Sequence, residues 1–102
     1  MDETYPALTR LFGAYLNQDV FEFYPDEFAG AADFATDDPQ DAQVAADEID
    51  HVLANNATED GLQRTLQSLH VEIRPVDLTY REWLTQIADH VRASLAKRAP
   101  GA

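Results

Sequence analysis

Thr79-Tyr80-Arg81-Glu82-Trp83-Leu84-Thr85-Gln86-Ile87-Ala88-Asp89-His90-Val91-Arg92-Ala93-Ser94-Leu95 decides the fold. Thr79 and Glu82 stand three apart, as in a capping box, where each side chain satisfies a free backbone N–H of the first helical turn. Tyr80, Trp83, Leu84, Ile87, Val91 and Leu95 then recur at helical spacing on one face. A stripe with the sole tryptophan in it predicts a closing helix that forms the central beam of the core.

Upstream, the pattern is helical nearly throughout. Pro6 suits a first helical position, and Leu8, Leu11, Phe12, Tyr15 and Leu16 follow at matching offsets, so a first helix should end near Gln18. Val20-Phe21-Glu22-Phe23-Tyr24 fits either an extended turn or a short helical one. Pro25 opens a second helix with Phe28, Ala31, Ala32 and Ala35 inward, weakened by Gly30. Asp38-Pro39-Gln40-Asp41 supplies a cap, a proline at N1 and a carboxylate at N3. On the third helix Ala42, Ala45, Ala46, Ile49, Val52 and Leu53 fill one arc, and Val44 lies among the acids outside it. Asn55-Asn56 ends that helix, and Thr58 caps a fourth carrying Leu62, Leu66 and Leu69. Val71 to Pro75 alternates like a strand, but Pro75 limits it to a short connector. The expectation is an all-α, single-domain bundle of about five helices over residues 1–98, with a frayed tail at 99–102. Leu8, Phe12, Ile49, Leu66, Trp83, Leu84, Ile87 and Val91 should share one core.

Charge is distributed unevenly over the 102 residues, whose net charge is −12. From Leu11 to Gln63 there is no lysine or arginine and there are 13 carboxylates. Residues 1–60 carry fifteen acids against one base, and residues 61–102 four acids against six bases. Such a field repels nucleic acid and anionic lipid and attracts a basic protein surface. A surface serving solubility alone would mix the signs. The apolar fraction of 45% argues against disorder. The absence of cysteine excludes disulfides and thiol chemistry and fits a reducing compartment. Met1-Asp2-Glu3 is no secretory start, and no apolar run approaches membrane-spanning length, so the expected location is the cytoplasm.

No constellation points to catalysis. Glu48 and His51 form one Glu-x-x-His pair, where a di-iron bundle needs two and further glutamates. Ser68 and Ser94 lack a nucleophile-elbow pattern, and the four glycines form no phosphate loop. Asp33, Asp37, Asp38 and Asp41 lack EF-hand spacing, which leaves weak, nonspecific divalent attraction and no specific metal site. The Asp-Ser-Leu attachment site of an acyl carrier protein is missing. The reading is a binding protein with no catalytic residue and no cofactor.

Tyr5-Pro6-Ala7-Leu8, Tyr15-Leu16-Asn17-Gln18-Asp19-Val20, Glu22-Phe23-Tyr24, the Ala-rich stretch from Ala29 to Ala35, the acidic stretch from Gln40 to Ala54 and Glu82-Trp83-Leu84 together resemble the immunity proteins of contact-dependent growth inhibition systems. The resemblance covers nearly the whole chain in order. Leu16, Asn17 and Val20 depart from that family's Phe, His and Trp, while Gln18-Asp19 keep its pattern. The resemblance implies a cytosolic protein that binds, one to one, the C-terminal toxin domain of a large surface effector. Many such toxins are nucleases with basic substrate grooves, so it implies inhibition by an acidic surface and no direct contact with nucleic acid or membrane. An acidic helical adaptor, or a nucleic-acid mimic acting on a host protein, is the alternative.

The carboxylates expected to meet the partner are Asp37, Asp38, Asp41, Asp47, Glu48 and Asp50, on the third helix's outer arc and the loop before it. Asp19, Glu22, Asp26 and Glu27 form a second patch beside Tyr24, an aromatic able to anchor a complex.

Overall fold

The computed structural model describes residues 5–17, 19–71 and 73–98. Its elements are α1 (Pro6–Arg10), which runs on as a π-helical turn over Leu11–Tyr15, then α2 (Val20–Phe23), α3 (Glu27–Asp37), α4 (Pro39–Asn55), α5 (Glu59–Ser68) and α6 (Tyr80–Arg98). Among the described residues there is no strand. The radius of gyration is 12.9 Å, the value of about 13 Å that a compact chain of roughly 100 residues adopts. The 99–102 tail, Gln18 and Glu72 lie outside the described residues.

The local start signals act as the sequence predicts. The Thr79 hydroxyl accepts from the Glu82 N–H at 3.0 Å, and Glu82 Oε1 accepts from the Thr79 N–H at 2.9 Å. Asp38 caps α4, accepting from the Asp41 N–H at 3.3 Å, with Pro39 following. Thr58 caps α5, accepting from the Gly61 N–H at 3.0 Å. Val71 and residues 73–75 form an irregular connector.

Packing follows the periodicity. The longest helix, α6, lies against both α4 and α3, while α1 packs on α4 and α5 on α6. All eight residues expected in the core are buried. The inner face of α4 is Ala42, Ala45, Ala46, Ile49 and Val52. Its alanines are small enough to let the helices packed on it, α6, α1 and α3, come close. The hydrophobic stabilisation of the bundle comes from this one cluster.

Two elements depart from expectation. The α3 helix starts two residues after Pro25, because Asp26 is its cap, accepting from the Ala29 N–H at 2.9 Å. Its buried residues are Gly30, Ala31, Phe34 and Ala35, with Phe28 and Ala32 only half-buried. Phe34 takes the inner position, with Tyr15 packed on its ring at 5.0 Å. The first helix leaves regular α bonding after Arg10, and its π turn ends at Tyr15, short of the expected Gln18, with the Leu16 N–H reaching the Leu11 carbonyl at 3.0 Å. This i→i+5 turn brings Leu16 back over Leu11, and both are buried.

The end of α5 is built on a histidine. Its last carbonyls are closed by Val71 N–H to Leu66 O at 3.2 Å and His70 N–H to Gln67 O at 3.0 Å. His70 sits at φ 60. This is a Schellman motif with histidine where glycine is usual.

Candidate functional site

Helix α4 presents the longer acidic arc. Arg10 of α1 reaches across to pair with Asp38 at 3.0 Å and with Asp41. Arg92 of α6 pairs with Asp47 at 3.0 Å and Asp50 at 2.7 Å. The Gln43 amide donates to Asp47 as well, at 3.0 Å. Each guanidinium therefore offsets one of the two charges it meets, so the four paired carboxylates keep a net charge of about two.

Glu48 departs further from the expected outer arc. It is half-buried, and its Oε1 accepts from the Leu8 N–H at 2.8 Å. Helix α1 begins at Tyr5-Pro6 with no capping side chain of its own. Its free N–H groups need an acceptor, and α4 supplies it. Burial pushes the Glu48 carboxyl above its ordinary value, while the backbone donors Leu8 and Ala7 oppose the rise. The folded state thus holds this proton more tightly than the unfolded chain. Its contribution to stability falls as pH rises from the ordinary carboxylate range through the raised folded value, and returns on acidification. Glu48→Gln keeps the acceptor oxygen and removes the charge. We expect it to flatten that pH limb and to leave stability at neutral pH equal or higher. Glu48→Ala loses the cap and should cost about 1 kcal/mol. Urea unfolding at neutral pH and in the carboxylate range checks both; an Ala variant as stable as wild type would remove the capping role.

The second face, from α2 along α3, is differently built. The Tyr24 hydroxyl donates to Asp33, and Tyr15 donates to Asp37 at 2.9 Å. Asp33 and Asp37 lie one helical turn apart on α3. The hydrogen bond to Asp33, then burial, then the Asp33 charge push the Tyr24 hydroxyl up to about 12. The hydrogen bond to Asp37 comes first in raising Tyr15, followed by burial. Both tyrosines therefore stay protonated donors at physiological pH. Asp19 and Glu22 are exposed on the approach to α2 and on it, and Asp26 stands at the α3 cap. Among the described residues, Arg10 and Arg92 make all the arginine–carboxylate pairs, and none involves Asp19, Glu22, Asp26, Asp33 or Asp37. This face keeps its charge.

Two of the residues nominated on this face have internal duties. Glu27 is half-buried and accepts from the Trp83 indole N–H at 3.0 Å. Tyr24 is half-buried and tied to Asp33. The aromatic that stands out is Phe23, 75% exposed. Sequence reasoning passed over Phe23 and Asp33. The signal for Phe23 lay in the run Val20-Phe21-Glu22-Phe23-Tyr24, which carries more apolar side chains than one helical turn can bury.

The histidines have ordinary partners. His51 Nδ1 shares a hydrogen bond with the Tyr5 hydroxyl at 3.0 Å, His90 stacks on Phe28 at 4.8 Å, and His70 forms the α5 terminus. Among the described residues no three His, Asp or Glu side chains gather as a metal site. No helix there is long and apolar enough to cross a membrane.

A family model described as CdiI immunity protein matches residues 4–91. No curated protein and no solved structure gives a match.

Proposed function

Since the chain belongs to the CdiI immunity protein family, and so is a toxin-neutralising immunity protein, we propose that it inhibits a basic, nuclease-type toxin domain by laying the α2–α3 face over it. The observation that supports this reading most is the retained charge of that face. Asp19, Glu22, Asp26, Asp33 and Asp37 have no arginine pair among the described residues, whereas the α4 arc shares its charge with Arg10 and Arg92. A basic substrate groove evolved to hold phosphates, and a rigid row of carboxylates offers it the same sign of charge. Asp33 and Asp37 are held in place by tyrosine hydroxyls, so little side-chain freedom is lost when they meet a partner. Long-range attraction between the net −12 chain and a basic domain speeds encounter, and packing at Phe23 slows release.

Inhibition of this kind is stoichiometric, one inhibitor per toxin domain, and asks no catalysis of the inhibitor. It operates in the cytoplasm, where a delivered toxin meets its substrate. Pull-down with the tagged chain from cells of the source strain tests the reading. One basic toxin fragment, with nuclease activity that the purified chain suppresses at an equal molar ratio, is the expected result. A set of host nucleic-acid-binding factors would replace it with an acidic adaptor or nucleic-acid mimic.

A further inference from the structure

Between the start of α3 and the connector that precedes α6 lies a cleft of about 270 Å³. Phe28, Ile73, Val76, Leu78 and Trp83 line it, and Glu27 and Arg74 bring one charge of each sign to its wall. We infer that this cleft is the anchor pocket of the complex, and that it receives one bulky apolar side chain carried on the basic surface of the toxin.

Three observations converge on it. First, Val76 at 78% and Phe23 at 75% are the most exposed large hydrophobic side chains among the described residues. Val76 belongs to the cleft, and Phe23 is four residues from Glu27, within about 14 Å along the chain. An exposed apolar side chain at a concave apolar site marks a binding surface. Second, the floor is preformed. The Trp83 indole holds Glu27 Oε2 at 3.0 Å, and Asp77 at φ 65 sets a left-handed turn between Val76 and Leu78. A pocket already shaped in the free protein loses little entropy on filling. Third, the chain flanking the cleft is acidic. Asp26, next to Glu27, and Asp77, between Val76 and Leu78, are exposed, and the two charges in the wall oppose each other. That arrangement fits an apolar side chain flanked by lysine or arginine. It disfavours a second copy of this chain, since two molecules of net charge −12 repel each other.

This inference rests on the toxin-binding reading of the neighbouring α2–α3 face, and its test separates the two. The probe is the purified toxin domain encoded directly upstream of this chain's gene, with binding rates measured at low and high salt. Phe23→Ser and Val76→Ser both alter exposed side chains and should keep the wild-type melting temperature. Each is expected to raise the dissociation rate about tenfold, and the double variant about a hundredfold, with association rate and salt slope unchanged. A Val76→Ser variant that dissociates at the wild-type rate overturns the pocket, even where Phe23→Ser still dissociates faster and charge reversal on the α2–α3 face still slows association. A wild-type chain that does not bind the toxin overturns both readings. A wild-type dimer that Val76→Ser dissolves would seat a second copy in the cleft and overturn the inference too.

Discussion

Replacing Trp83 by alanine is expected to cost about 3–5 kcal/mol of unfolding free energy. The side chain is 1% exposed. Its ring packs at 5.7 Å from Phe12 and 6.4 Å from Tyr80, so one indole joins the first helix, the start of α6 and, through Glu27, the start of α3. Truncation leaves a cavity among elements that cannot all close on it, and strips the donor from a half-buried carboxylate. Domains of this size have roughly 5–15 kcal/mol in total, so Tm should drop by roughly 15–25 °C. Trp83→Phe keeps an aromatic ring in the core but loses the N–H and part of the indole volume, for about 1–3 kcal/mol. Because Trp83 is the sole tryptophan, unfolding is best followed by far-UV circular dichroism. An alanine variant within about 1 kcal/mol of wild type would mean that the core is not organised around α6.

That Trp83 sits at the centre was legible in the sequence, as was nearly every helix start. Capping boxes, a proline at N1 and a stripe repeating at three and four residues are local signals, and local signals are present in the sequence itself. The carboxylates were harder. Glu48 and Glu27 read as partner-facing acids and Glu59 carried no role, yet each answers a donor from elsewhere in the chain: Glu48 the Leu8 N–H, Glu59 the Tyr80 and Arg81 N–H groups at 2.6 and 3.1 Å, and Glu27 the Trp83 indole. Residue type does not tell a carboxylate facing water from one facing the bare start of a neighbouring helix. One hint was present. Tyr5-Pro6 opens a helix without a Ser, Thr, Asp or Asn at the cap, so an acceptor had to come from outside. The pairing of Arg10 and Arg92 with α4 was invisible for the same reason, since it spans roughly 30 to 45 positions of chain. It changes the reading of the acidic half, because the helix richest in carboxylates is the one whose charge is shared.

Charge reversal separates the two acidic faces. Asp19→Lys with Glu22→Lys, and Asp47→Lys with Asp50→Lys, each remove two carboxylates and add two ammonium groups, moving net charge from −12 to −8. All four positions are exposed, and the Arg92 pairs sit at the surface, where ion pairs contribute about 0–1 kcal/mol. Both double variants should therefore fold. Both lose the same long-range attraction, so both should associate with the toxin more slowly and with a shallower salt dependence. They differ in what happens after encounter. In the proposed complex Asp19 and Glu22 lie on the face laid over the toxin, and reversing them would place lysines against basic groups as water is excluded. That variant should also dissociate faster, with Kd raised by about a hundredfold, or roughly 3 kcal/mol. Reversal at Asp47 and Asp50 frees Arg92 away from the interface and should leave dissociation near the wild-type rate. Rates measured at several salt concentrations read the two effects apart. Faster dissociation from the α4 variant alone would move the interface to the α4 arc. Unchanged affinity and unchanged salt slope in both would reduce the acidic half to a solubilising surface and end the electrostatic mechanism.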